Sequence, residues 1–221
     1  MRFIVGWSLL LSYSLFMPPR SLPPDTAITP RKRPRQARST ATVDTLLEAA
    51  ARILESTGLA GFNTNAVAER AGVSIGSLYQ YFPAKEALLA ALIRRKRAEL
   101  IDALRREQAQ AQGRDLTTVL DGFIRAALAH QLERPALARH LEYAEALLPI
   151  DHETEALKQA IVAATHDVLR QHGVPDPETV ARDLSAMVRG MVDAAGLFGE
   201  TDRDTLEARV RRAVYGYLRL A

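Results

Sequence analysis

With 221 residues, 48% of them hydrophobic and 25% charged, the chain has the mix of a folded globular protein and the length for one large domain or two small ones. It contains no cysteine, which excludes disulfide frameworks, Cys-ligated zinc, iron–sulfur clusters and thiol nucleophiles. The net charge of +3 is unevenly spread, because residues 1–41 hold seven basic side chains against Asp25 alone, whereas the rest carries 22 basic and 25 acidic groups.

Phe3 to Met17 is an almost uninterrupted apolar run of fifteen residues, shorter than the ~20 that a membrane-spanning helix needs. It fits the apolar stretch of a secretory signal with a poor cleavage site at Ser12-Tyr13-Ser14, or translation that really begins at Met17. Everything after residue 40 reads as cytoplasmic, so residues 1–16 are expected to be a start-site artefact. Six prolines between Pro18 and Pro34 then forbid a helix and predict an extended linker. Residues 1–41 are therefore expected to form a disordered, basic, proline-rich extension.

From residue 40 the pattern turns helical. Val43, Leu46, Leu47, Ala50, Ile53 and Leu54 recur on one helix face, opened by Thr40 or Thr42 and closed by Gly58. A short helix follows, capped by Asn63 or Thr64 and ended by Gly72; Ser74 can cap a third, Ile75 to Phe82. Two short helices joined by a glycine turn form a helix-turn-helix, whose second helix can enter the DNA major groove. A long helix runs from Ala84 to about Gln112.

The stretch Gly61-Phe62-Asn63-Thr64-Asn65-Ala66-Val67-Ala68-Glu69-Arg70-Ala71-Gly72-Val73-Ser74, followed by Gly76-Ser77-Leu78-Tyr79-Gln80-Tyr81-Phe82-Pro83-Ala84-Lys85-Glu86-Ala87-Leu88, resembles the N-terminal domain of TetR-family transcriptional repressors. The resemblance implies an all-α fold: a three-helix DNA-binding domain at 42–92 and a helical ligand-binding and dimerisation domain at 93–221. It implies a homodimer on a palindromic operator in double-stranded DNA, released by a small-molecule effector, with no membrane partner. No cofactor, metal site or catalytic residue is implied.

Leu78, Phe82, Val67, Ile53 and Leu59 are apolar at core spacings and carry no expected DNA role. The expected contact set is Thr64, Asn65, Ser74, Ile75, Gly76, Ser77, Tyr79, Gln80, Tyr81 and Lys85. Gly76 and Ser77 allow close backbone approach, Tyr79 and Tyr81 offer a ring face or a hydroxyl, and Gln80 carries both donor and acceptor. Thr64 matches the family's phosphate-contacting position, and Lys85 lies at a helix start that already favours an anion. Residues 42–91 hold only Arg52, Arg70 and Lys85 against five acids. The arm Arg31-Lys32-Arg33-Pro34-Arg35-Gln36-Ala37-Arg38 is expected to supply the missing positive charge.

A rival reading takes Gly72-Val73-Ser74-Ile75-Gly76 as the elbow of a serine hydrolase, which needs a strand before the serine. The preceding residues are a helical stripe, and no strand-like alternation occurs. An architectural DNA-binding protein without an effector is the other alternative.

Further helices are expected from Asp115 to Glu133, Pro135 to Leu148, Asp151 to His172, Asp176 to Gly199, and from a Thr201-x-x-Asp204 capping pattern to Leu220. The last two are the expected dimer surface. They carry a small-residue ridge of Ala186, Gly190, Ala194 and Leu197, with Leu206, Val210, Ala213, Val214 and Tyr217 on the final helix. A pocket lined by Phe123, His130, Tyr143, Leu147, His166, Met187 and Met191 is expected among the middle helices.

Overall fold

The computed structural model describes residues 28–30 and 37–220, and among these it contains nine helices and no strand. They are α1 (Ala37–Gly61), α2 (Thr64–Ala71), α3 (Ile75–Tyr81), α4 (Lys85–Ala109), α5 (Leu116–Leu132), α6 (Pro135–Glu145), α7 (Asp151–Gln171), α8 (Pro177–Leu197) and α9 (Arg203–Leu218). The all-α class and the order of the elements agree with the sequence.

Local chemistry explains most of the boundaries. Asn63, Ser74, Asp115, Asp176 and Asp202 each accept the backbone N–H three residues on, so α2, α3, α5, α8 and α9 start at a side-chain cap. Gly58 adopts φ 63°, which breaks α1 and leaves one further turn to Gly61. Gly72 at φ 67° ends α2 in the left-handed conformation, and the amide of Val73 reaches back to the carbonyl of Ala68.

Three expectations are corrected. α1 begins at Ala37, so Thr40 and Thr42 lie inside the helix and residues 37–41 are not a disordered extension. No proline follows Pro34 in this stretch, and Ala37 and Ala41 favour the helix. Ile28 also departs from that expectation: its side chain packs on the first core, and its carbonyl accepts a hydrogen bond from Arg94 Nη1 at 2.9 Å. The cap of α9 is Asp202 rather than Thr201, with Asp202 also accepting from the Thr205 hydroxyl at 2.7 Å. Asp151 is the first residue of α7, not its cap. Residues 1–16 and Arg31 to Gln36 of the basic arm lie outside the described residues.

Two packing regions position the functional surfaces. Leu46, Leu54, Val67, Leu78, Phe82 and Leu88 form a fully buried core under α2 and α3, with Ile53 and Leu59 packed at its edge. That core also takes in Leu137 and Leu141 of α6 and Leu148 and Ile150 beyond it. A second core joins α5, α7, α8 and α9 through Leu120, Leu128, Leu169, Leu184, Leu206 and Val210. α9 is tied to α5 at Asp121, which accepts from the Tyr215 hydroxyl and from Arg211, both at 2.5 Å. Leu206, Val210 and Val214 are thus consumed inside the chain and are not available to a dimer surface.

Candidate functional site

The exposed surface of the helix-turn-helix gathers most of the expected DNA-contacting residues. Ile75, Gly76, Tyr79 and Gln80 on α3, Asn65 on α2 and Lys85 at the start of α4 are all exposed. A Cβ at Gly76 would meet nothing closer than Ser74 Oγ at 3.9 Å, so the backbone there is open to close approach. Tyr79, 41% exposed, shares a hydrogen bond of 3.0 Å with Thr64 Oγ1, which couples the phenol to the start of α2. Ser74 and Ser77 hold one another: Ser74 Oγ accepts from the Ser77 amide at 3.1 Å, and the two hydroxyls are 2.8 Å apart. These two serines shape the turn. Tyr81 departs from the set, because its ring packs partly against the core beneath α3. The residues before Ser74 are α2, not a strand, so the hydrolase elbow lacks its framework.

At the other end a cavity of about 850 Å³ lies between α4, α5, α6, α7 and α8. Phe123 and His130 are among the residues that line it. Tyr143 and Leu147 do not; they are 60% and 54% exposed on the outside of α6 and the turn after it. His166 stands on a half-exposed part of α7, with Nδ1 3.3 Å from Asp167 Oδ1, and Met187 and Met191 pack against the second core. Side-chain type alone could not separate a pocket wall from the neighbouring core or surface.

The cavity wall also carries ionic groups that the sequence reading missed. Arg97, only 8% exposed, donates through Nη2 to Thr154 Oγ1 at 2.6 Å and lies 2.8 Å from Glu145 Oε1. Lys96 donates Nζ to the carbonyl of His130. Burial, together with the nearby charges of Lys96 and Arg97, pushes the His130 imidazole down to about 4, so it is neutral near pH 7. Burial and neighbouring acids push the carboxyls of Glu142 and Asp193 up, and Glu142 accepts from Gln131 at 2.7 Å. A signal was present in the sequence: Arg97 interrupts the apolar spacing Ile93, Leu100, Leu104 on α4, where a buried leucine would be ordinary.

α6 connects the two ends. Its cap residue Arg134 donates to both carboxylate oxygens of Glu55 at 2.7 Å and to Glu48 at 3.0 Å, both on α1. The hydrogen bond from Arg134 holds the Glu55 carboxyl below its usual range despite partial burial. His140 lies over the kink of α1, where a Cβ on Gly58 would come within 3.2 Å of its ring. The same helix turns Ala138, Leu141, Glu142 and Glu145 toward the cavity.

Two family models match the chain: bacterial regulatory proteins of the tetR family over residues 46–92, and the tetracyclin repressor-like C-terminal domain over residues 115–218. The HTH-type transcriptional repressor DrrR1 of Streptomyces coeruleorubidus is 30% identical over 170 residues, which cover 76% of this chain and 57% of that protein. The HTH-type transcriptional repressor KstR of Mycolicibacterium smegmatis is 32% identical over 127 residues, 55% of this chain and 62% of its own length. The chain thus matches less than two thirds of either relative. A crystal structure of a transcriptional regulator from Rhodococcus sp. Rha1 superposes with a TM-score of 0.60 at 25% identity, covering 80% of this chain and 96% of the other. With both halves matched and the fold shared, the chain belongs to the tetR family of bacterial regulatory proteins.

Proposed function

We propose that the protein is a cytoplasmic, dimeric transcriptional repressor that binds a palindromic operator and releases it when a small molecule occupies the cavity. The observation that carries this reading is that one helix, α6, is packed both on α1 of the helix-turn-helix and along the cavity. A ligand that favours a different placement of α6 and α4 alters DNA affinity by its differential affinity for the two states. An architectural DNA-binding protein has no use for a cavity of about 850 Å³ behind its reading head. DrrR1 and KstR, both named repressors, support the sign of the regulation.

In this reading Gln80 and Tyr79 meet base edges, Thr64, Asn65 and Lys85 meet phosphate, and Ile75 and Gly76 give the closest approach. Ser74 and Ser77 hold the turn that presents them. The exposed ridge of α8 and the outer face of α9 pair two subunits, so that two recognition helices can enter successive major grooves about 34–36 Å apart. DNA from immediately upstream of the gene, titrated by fluorescence anisotropy, tests the proposal. The parent should bind with a strong salt dependence, and a Tyr79→Ala/Lys85→Ala variant should bind about ten- to a hundred-fold more weakly with unchanged helicity. A double variant that binds as tightly as the parent removes the assigned surface.

A further inference from the structure

Among the described residues two buried side-chain polar atoms have no hydrogen-bond partner, Arg97 Nη1 and Ser185 Oγ, and both residues line the cavity. They come from different walls, α4 and α8. Leaving a buried guanidinium N–H unpaired is costly, and native interiors seldom tolerate it without a purpose. We infer that the cavity takes a largely apolar molecule carrying a neutral carbonyl oxygen, an ester, lactone or ketone, which accepts from Arg97 Nη1, while Ser185 serves the same polar end. The inference deepens the effector reading above and rests on it only for the consequence on DNA, since binding is measurable on the protein alone.

The class follows from the charges already in place. Arg97 is not a free cation, because Glu145 sits 2.8 Å from its Nη2, and Thr154 Oγ1 donates to that carboxylate at 2.8 Å. A ligand carboxylate on Nη1 would stand beside the Glu145 carboxylate, with Glu142 of α6 and Asp193 of α8 also lining the cavity, whereas the lining cations Lys158, Arg182 and Arg189 are exposed to solvent. The other buried cation, Lys96, already gives its ammonium to the His130 carbonyl, and the imidazole of His130 is neutral. What remains unmet is hydrogen-bond acceptance without charge. A carbonyl oxygen supplies it, and the apolar lining of Leu100, Leu104, Phe123 and Ile161 receives the rest of the molecule.

Calorimetric titration of the full chain with methyl laurate, laurate, laurylamine and dodecane, all delivered from the same cyclodextrin carrier, separates these chemistries. Methyl laurate should bind at least about ten-fold more tightly than the other three, the worth of one hydrogen bond to a charged donor. Arg97→Lys retains a cation opposite Glu145 but lacks the second guanidinium nitrogen, so it should lose the preference for ester over dodecane. Ser185→Ala should weaken the ester several-fold, and circular dichroism establishes that each variant is folded. Laurate, laurylamine or dodecane binding as tightly as methyl laurate overturns the inference, as does a folded Ser185→Ala variant with parental ester affinity. Ester binding that leaves operator affinity unchanged upholds the ligand class and removes the effector role. Uptake of none of the four probes by a protein that binds operator overturns the ligand class and leaves the DNA-binding reading standing.

Discussion

In the helix-turn-helix, α2 and α3 are fixed by side-chain caps acting over three residues and by a closed apolar core, with their polar groups facing outward. Around the cavity the walls come from helices far apart in sequence, and cationic groups are held inside: Arg97 against Glu145 and Thr154, and Lys96 on the His130 carbonyl. The first region is held by short-range caps and by a core that draws in Leu137 and Leu141 of α6. The second holds an unbalanced set of polar groups, so its preferred arrangement responds to what fills it. α6 takes part in both, sharing the apolar core of the first while lining the second. Coupling between the regions therefore needs no change inside the reading head, only a change in how α6 and α4 hold it.

The largest effect should come from cutting that shared element. Arg134→Ala removes three charge-assisted hydrogen bonds to α1 and leaves Glu55, about a fifth exposed at 21%, without its partner. Allowing for solvent screening at this partly exposed site, the loss should be about 2 kcal/mol, measured by urea unfolding. Glu55 is held below its unfolded value, so its contribution is present above that value and lost as pH falls through the folded one. The variant should therefore show a flatter acid limb than the parent. Operator affinity of the folded variant should stay near parental, with weaker linkage between cavity occupancy and DNA binding. A variant as stable as the parent would mean that α1 is anchored without this residue.

A smaller, pH-dependent effect belongs to the cavity alone. His130 is held at about 4, well below the ~6.5 of an unfolded histidine. Between those values the unfolded chain binds a proton that the folded chain does not, so stability falls as pH is lowered through this window. Glu142 and Asp193 act in the opposite sense, since their raised folded values add stability as they protonate. Comparing the parent with His130→Leu isolates the histidine. Between pH 7 and pH 5 the parent should lose about 1–2 kcal/mol more than the variant, a few degrees in Tm. Parallel pH profiles for the two proteins would show that this ring is not desolvated in solution.

The two regions also differ in how far the sequence revealed them. The helix-turn-helix is written in contiguous residues: Asn63 and Ser74 announce the starts of α2 and α3, Gly72 ends α2, and the apolar positions fall on one face. Of the expected contact residues, Tyr81 leans partly on the core. The cavity depends on which faces of five helices meet, and periodicity cannot tell a wall from the core behind it. Met187 and Met191 have the flexible apolar character of pocket residues and nevertheless pack in the second core. Arg97 was legible in principle, because a charge on an apolar stripe must find a buried partner, but Glu145 and Thr154 lie far along the chain. The start of α9 slipped by one residue, from Thr201 to Asp202, whose carboxylate accepts from both the amide and the hydroxyl of Thr205.

The smallest effect on the chain's own stability should accompany the largest effect on assembly. Ala186, Gly190 and Leu197 are exposed on α8, and Phe198, directly after it, is 77% exposed. A Cβ at Gly190 would meet nothing within 4 Å, so Gly190→Glu disturbs no intrachain packing, and its better helix propensity offsets any local cost. If two subunits pair along this ridge, the same substitution places an unpartnered carboxylate between closely approaching helices, costing several kcal/mol of association. Because Gly190 also lines the cavity, Leu197→Glu, which does not, is the companion variant. Both should unfold within about 1 kcal/mol of the parent when compared as monomers, yet sediment as monomers at concentrations where the parent is dimeric. Losing the dimer should also cost operator affinity, since one recognition helix then binds without the second. Two glutamate variants that remain dimers would move the subunit interface off this ridge while leaving the reading head and the cavity as they stand.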